Sequence, residues 1–225
     1  MYHYIDDKRF LKKMKSLCSQ TVNQLVQSIN NDSLMRVEAH LVGSGAKNLI
    51  TQNANEPIDL DYNICVVEVF GISLNDGKVI KDHIGRHFNK VLKNNGWNSN
   101  CQDSTSVLSS RTRHFAEGNK TEFKIDIAIV REDCYGWRRL IHRKTGYTSS
   151  DQWYWNKGPD SCRLYDKVEK IKSENRWQEV RERYLEKKNM YLHRGEGDDH
   201  PSFNVYIETV NEIYSKYFRH GLVYC

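Results

Sequence analysis

No run of apolar residues in this 225-residue chain reaches the length of a membrane span. The opening MYHYIDDKRFLKKMKSL is polar and charged and lacks the apolar core of an export signal. The six cysteines (Cys18, Cys65, Cys101, Cys134, Cys162 and Cys225) are scattered, and none forms a Cys-x-x-Cys pair. That spacing indicates neither a zinc site nor a disulfide framework, so reduced thiols and a cytoplasmic location are expected. Internal repeats and low-complexity tracts are missing. Net charge is only +5, which suits a phosphate-rich ligand without requiring nucleic acid. The stretch RWQEVRERYLEKKNMYLHR mixes Glu with Lys and Arg at helical spacing, so it reads as a solvated face rather than a basic stripe. What is present is a folding composition, 38% hydrophobic and 28% charged, long enough for one sizeable α/β unit or two small domains.

Periodicity supplies the elements. Phe10, Leu11, Met14, Leu17, Val22, Leu25, Val26 and Ile29 recur at helical spacing and predict a helix over 6–29, ended by the polar 30–32. A strand is expected over 35–42, leading into Gly43-Ser44. A short helix or loop follows, then a β-branched, aromatic strand over 59–70. After a turn at 75–77, Ile80, Ile84, His87, Phe88, Val91 and Leu92 share one face of a helix over 79–94. One or two strands are expected in 104–115. Within 121–130, Phe123, Ile125, Ile127 and Ile129 alternate with Lys124, Asp126, Ala128 and Val130, the pattern of a strand. The segment 136–159 reads as a hairpin or an extended segment rich in aromatics, whose Trp153, Tyr154 and Trp155 could pack at a domain interface or stack on a base. Helices are predicted over 161–173, 175–192 and 201–219. The loop before the last, with His193, Asp198, Asp199 and His200, could bind a metal but reads rather as an exposed loop capping the helix that starts at Pro201. Strands early and helices late predict an α+β chain: a mixed-sheet domain over 1–158 and a helical domain over 159–225.

Three acids stand out. Asp59 and Asp61 are two apart in one predicted strand and therefore share a face; Asp126 lies in another. Carboxylates among apolar residues are costly unless paired or metal-bound. An oxygen-only set without His or Cys suits Mg²⁺ or Mn²⁺ rather than zinc, and a pair of such ions can hold a triphosphate and help deprotonate an attacking hydroxyl. Gly43 lets backbone approach a phosphate, Ser44 offers a hydroxyl and an N–H, and Lys47 is near enough to assist. Lys124 shares a strand face with Asp126, either beside the phosphates or in a simple ion pair.

These residues carry a resemblance. VGSGAKNLI…PIDLDYNICVV resembles the signature of the DNA polymerase β-like nucleotidyltransferases: Gly-Ser after an apolar residue, then Asp-x-Asp between apolar residues. FKIDIAIV is similar to the strand bearing that family's third metal-binding carboxylate. Among its branches the pattern looks most like the oligoadenylate synthases and bacterial cyclic-oligonucleotide synthases, although Lys47-Asn48 stands where that branch commonly has Gly-Thr. The resemblance implies a mixed sheet flanked by helices with a helical domain after it. It implies transfer of a nucleoside monophosphate from an NTP to a hydroxyl with release of pyrophosphate. Asp59 and Asp61 would hold two divalent ions, and Asp126 would bind the second ion and help activate the acceptor. It also implies triphosphate contacts from the first C-terminal helix, for which Ser161 and Lys167 are the candidates. The acceptor stays open between a nucleotide, a small molecule, an RNA end and a protein side chain, and the oligomeric state is open too. Two alternatives stand beside this reading: a non-catalytic nucleotide-binding regulatory module on the same fold, and a metal-dependent nuclease.

Overall fold

A computed structural model describes residues 1–97, 99–158, 163–194 and 202–218. In chain order the first elements are β1 (Tyr2–Tyr4), α1 (Lys8–Asn30), β2 (Met35–Leu41), α2 (Gly43–Lys47), β3 (Thr51–Asn53), β4 (Ile58–Val69) and α3 (Gly77–Asn94). There follow β5 (Gln102–Asp103), β6 (Leu108–Ser109), β7 (Phe123–Asp133), β8 (Gly136–Arg143), β9 (Gln152–Lys157), α4 (Leu164–Ser173), α5 (Trp177–His193) and α6 (Ser202–Phe218). Two compact units result. A sheet unit comprises Ile5–Asn48 and Asn55–Gly158; a helical unit comprises Met1–Tyr4, Leu49–Ala54 and Pro159–Cys225. The division at 158 expected from the sequence cuts the chain once, whereas these units interleave. The reason is the pairing of β1 with β3, three residues each, too short to show a periodicity.

The sheet unit is built on a mixed sheet of order β2-β4-β7-β6-β5, with β8 beside β7 and β9 beside β8. β4 and β7 run parallel in register from Ile58↔Phe123 to Cys65↔Val130, and β2 pairs antiparallel with β4. Parallel neighbours need a crossover, and α3 lies within the chain that makes it. Period-two alternation sorts the two faces of the central pair. Ile58, Leu60, Tyr62 and Ile64, with Phe123, Ile125, Ile127 and Ile129, are all buried. α1 and α3 bring Phe10, Met14, Leu25, Ile84 and Phe88 into the same core. The rings of Phe10 and Phe123 meet edge to face at 6.2 Å, and Phe10 and Phe115 at 5.9 Å. α1 begins where Asp7 Oδ1 accepts the Phe10 amide at 2.8 Å, an N-cap that satisfies one of the orphan donors of the first turn. The opposite face of β4 and β7 carries Asp59, Asp61, Lys124 and Asp126 and then closes over Cys65, Ala128 and Val130.

Of the two readings of 136–159, the structure has the hairpin, formed by β8 and β9. Its rings pack within the sheet unit: Trp153 stacks on His142 at 4.3 Å, and the Trp155 indole donates to the Leu74 carbonyl at 2.7 Å. In the helical unit, α4, α5 and α6 close around Ile171, Val180, Tyr184, Val205 and Val210. The edge of β1 is tied there by Asn189, which accepts from the Tyr2 amide at 2.7 Å and donates to its carbonyl at 3.1 Å. No helix among the described residues is long and apolar enough to cross a membrane. Residues 198–200 lie outside the described residues.

Because Phe123 is fully buried in an aromatic cluster, Phe123→Ala is expected to cost about 3–5 kcal/mol of stability. Urea denaturation checks this; a loss below about 1 kcal/mol would show that the cluster is not where the unit is held together.

Candidate active site

The site is assembled by the parallel register. Asp61 lies opposite Asp126, and Asp59 opposite Lys124, on one face of adjacent strands. The Lys124 ammonium bridges 3.3 Å to Asp126 Oδ2 and 3.5 Å to Asp59 Oδ1. Asp126 is tucked in, its side chain 12% exposed against 47% for Asp59. Its Oδ1 is buried without a hydrogen-bond partner. The three carboxylates do not close on one point as a set: among the described residues, only Asp32, His83 and His87 bring three ligand atoms within 4.8 Å of one another. Lys124 stands between Asp59 and Asp126 instead.

Electrostatics follow from this crowding. Burial pushes the Asp61 carboxyl up to about 6, and the like charges of Asp126 and Asp59 add to the rise, while Arg139 and Lys124 oppose it. For Lys124, burial works downward, but the charges and hydrogen bonds of Asp126 and Asp59 outweigh it and the ammonium is held above its usual range. Arg139 was not identified from the sequence. It reaches this neighbourhood because β8 pairs with the far half of β7, Arg139 opposite Val130. An arginine in GWRRLIHR carries no local sign of that.

Gly43 and α2 frame the carboxylates from the other side. The Val42 amide donates to the Asp61 carbonyl at 2.9 Å, drawing the turn against β4. Gly43 has φ +62°, and a Cβ there would lie 2.5 Å from Asp61 Oδ2, so only glycine fits beside that oxygen. Ser44 is half-buried in the first turn of α2. The Lys47 ammonium donates to the Gly43 carbonyl at 3.3 Å, and burial lowers its pKa against the pull of Asp61. Lys15 from α1 donates to the Gly45 carbonyl at 2.7 Å, a cation at the C-terminal end of this short helix. Gly43, Ser44, Lys47, Asp59, Asp61, Lys124 and Asp126 thus belong to the sheet unit. Lys167 belongs to the helical unit, where its ammonium donates to Asn211 at 2.7 Å. Ser161 lies outside the described residues.

The architecture is that of a known class: the chain has the polymerase β-like nucleotidyltransferase fold, with a mixed sheet flanked by helices and a helical C-terminal part. CdnE of Elizabethkingia meningoseptica, a cyclic dinucleotide synthase solved with GTP and Apcpp, is similar with a TM-score of 0.50 and 15% identity, over 89% of this chain and 70% of that one. CdnC of E. coli MS115-1, solved with ATP, is similar with a TM-score of 0.52 and 15% identity, over 96% of this chain and 60% of that one. Escherichia coli DncV in its 3'-deoxy GTP bound form has a TM-score of 0.50 at 9% identity, over 80% and 60% of the two chains. The chain thus spans between 60% and 70% of the length of these structures. No family model matches the chain, and no curated protein matches it in sequence.

Two outcomes are expected from this geometry. With Asp61 titrating near 6 when folded and 3.8 as the ordinary value, the folded state holds a proton the unfolded chain has lost in between. Stability therefore falls as pH rises from about 4 to about 6 and stays lower above that. In the presence of chelator, Asp61→Asn removes this loss. The variant is more stable than the parent at about pH 7 and converges with it below about pH 4 in urea titrations. Gly43→Ala, forced to a positive φ against Asp61, should cost about 1–3 kcal/mol in the same measurement.

Proposed function

We propose that the chain is a metal-dependent nucleotidyltransferase that moves a nucleoside monophosphate from an NTP to a hydroxyl acceptor, releasing pyrophosphate. The observation that carries this reading is the in-register pair of Asp61 and Asp126 on parallel strands, with Asp126 Oδ1 buried and unpartnered. A buried carboxylate oxygen without a partner, beside a second acid whose pKa is raised by burial and by like charge, fits a site that takes a cation. The donor set is all oxygen, which fits Mg²⁺ or Mn²⁺ held by Asp59, Asp61 and Asp126. Divalent ions bound there would supply charge to neutralise the phosphates and the leaving pyrophosphate.

The chain's own residues have separate tasks in this proposal. Gly43 lets the backbone come close to the triphosphate, and Ser44 donates to it. Lys47 and Lys124 add positive charge to the phosphate side. Asp126 orients the acceptor hydroxyl and takes its proton as the oxygen attacks the α-phosphorus in line. Likeness in fold to a cyclic dinucleotide synthase supports a second nucleotide as the acceptor, ahead of a small molecule, an RNA end or a protein side chain. Modest net charge also favours a short acceptor over a long RNA.

Lys124 supports a second reading. An ammonium that already bridges Asp59 and Asp126 could stand in for a cation in a non-catalytic nucleotide-binding module. Incubating the protein with each NTP and Mg²⁺ or Mn²⁺ and measuring pyrophosphate separates the two. The enzyme releases pyrophosphate, and Asp61→Asn or Asp126→Asn, having lost several kcal/mol of charge stabilisation in the transition state, lowers the rate by about a thousandfold. Nucleotide retention without pyrophosphate under every condition would leave only the binding module.

A further inference from the structure

A second polar cluster lies on α3, the helix whose apolar residues join the core face of the sheet rather than the face bearing the aspartates. His83 and His87 are four apart and present their rings together, with centroids 4.5 Å apart. Asp32, from the turn between α1 and β2, reaches both: its Oδ2 is 3.4 Å from His87 Nε2 and 3.9 Å from His83 Nε2. One ligand atom from each of the three lies within 4.8 Å of the others. Tetrahedral coordination with bonds of about 2.0–2.1 Å puts ligand atoms about 3.4 Å apart. Small side-chain movements would therefore close this set on a single ion.

The surroundings are those of a ligand site. His83 is 3% exposed, and its Nε2 is buried with no hydrogen-bond partner. At 3.9 Å, the Asp32 oxygen it faces is too far to accept from it. Arg86 touches the other ring nitrogen only at 3.5 Å, the outer limit of a hydrogen bond. His87 Nδ1 is 2.8 Å from Ser28 Oγ. With that N–H given to the serine, Nε2 keeps its lone pair toward Asp32, the outer-shell arrangement that orients metal-bound imidazoles. The turn carrying Asp32 is pinned: Asn30 accepts from the Val37 amide at 2.8 Å and donates to its carbonyl at 3.0 Å. On the open side is a cleft of about 510 Å³, lined by Ser28, Asn31, Asp32, Ser33, His87 and Lys90.

We propose that Asp32, His83 and His87 bind a Zn²⁺-class transition-metal ion, with a water from the cleft as fourth ligand. Two imidazoles and one carboxylate select zinc, cobalt or nickel over magnesium, the reverse of the all-oxygen set on the strands. The ion would clip the α1–β2 turn to α3. An ion-free ion pair between Asp32 and the two histidines is the competing account.

The test uses the full chain stripped with chelator, returned to buffer with excess Mg²⁺, and titrated with Zn²⁺ against a chromophoric chelator. One equivalent should bind with Kd below about 1 μM, and Co²⁺ in its place should give the visible absorption of a tetrahedral imidazole-containing site. His87→Ala and Asp32→Asn, both at the accessible edge and checked for fold by circular dichroism, should each weaken Zn²⁺ about a hundredfold. Asp61→Asn should leave it unchanged, which separates this site from the strand carboxylates. Zn²⁺ should also raise Tm in the parent and not in His87→Ala. Failure to bind Zn²⁺ at micromolar concentration, or equal affinity in the parent and in His87→Ala, would overturn the proposal in favour of the ion pair and would leave the nucleotidyltransferase reading untouched.

Discussion

The parallel pairing of β4 with β7 is the constraint on which the sheet unit depends. Eight consecutive residue pairs, Ile58↔Phe123 through Cys65↔Val130, run in register. Ile58, Leu60, Tyr62 and Ile64 of β4 and Phe123, Ile125, Ile127 and Ile129 of β7 point into one core. A slip of one residue would drive Asp126 and Lys124 into that core and turn Ile125 and Ile127 toward the polar face. Burial of the isoleucines thus fixes where the acids go, and the position of Asp126 against Asp61 is a by-product of apolar packing on the opposite side of the sheet.

Concentrating three carboxylates on one face carries a cost that the surroundings meet only in part. Lys124 neutralises two of them at once, and Arg139 adds charge from β8. The Asp126 oxygen without a partner and the raised Asp61 carboxyl are the remainder. Polar groups left unsatisfied in this way are tolerated where a ligand can complete them. The close fit of Gly43 against Asp61 shows the same economy of space, since the backbone turn approaches as nearly as a missing side chain permits. The Asp32, His83 and His87 cluster has one carboxylate in place of three and two nitrogen donors, so the two regions would discriminate between cations by donor chemistry alone.

Much of this was readable in the chain. The Asp-x-Asp spacing put Asp59 and Asp61 on one face, the alternation of FKIDIAIV separated Asp126 from the isoleucines, and the helical runs 6–29 and 79–94 became α1 and α3 with ends shifted by a residue or two. These features are local, because periods of two and 3.6 follow from backbone geometry within a single element. The motif resemblance carried the fold further than periodicity could. Other relations were invisible because they join distant segments. Arg139 approaches Asp61 through the pairing of β8 with β7, Asp32 meets His83 and His87 across the packing of α1 on α3, and β1 finds β3 with only three residues each. The sequence by itself determined which side chains share a strand face or a helix face. Which faces confront each other was decided only by the tertiary structure, because strand partners and helix contacts are selected by apolar burial summed over the whole unit, a quantity no short window of residues contains.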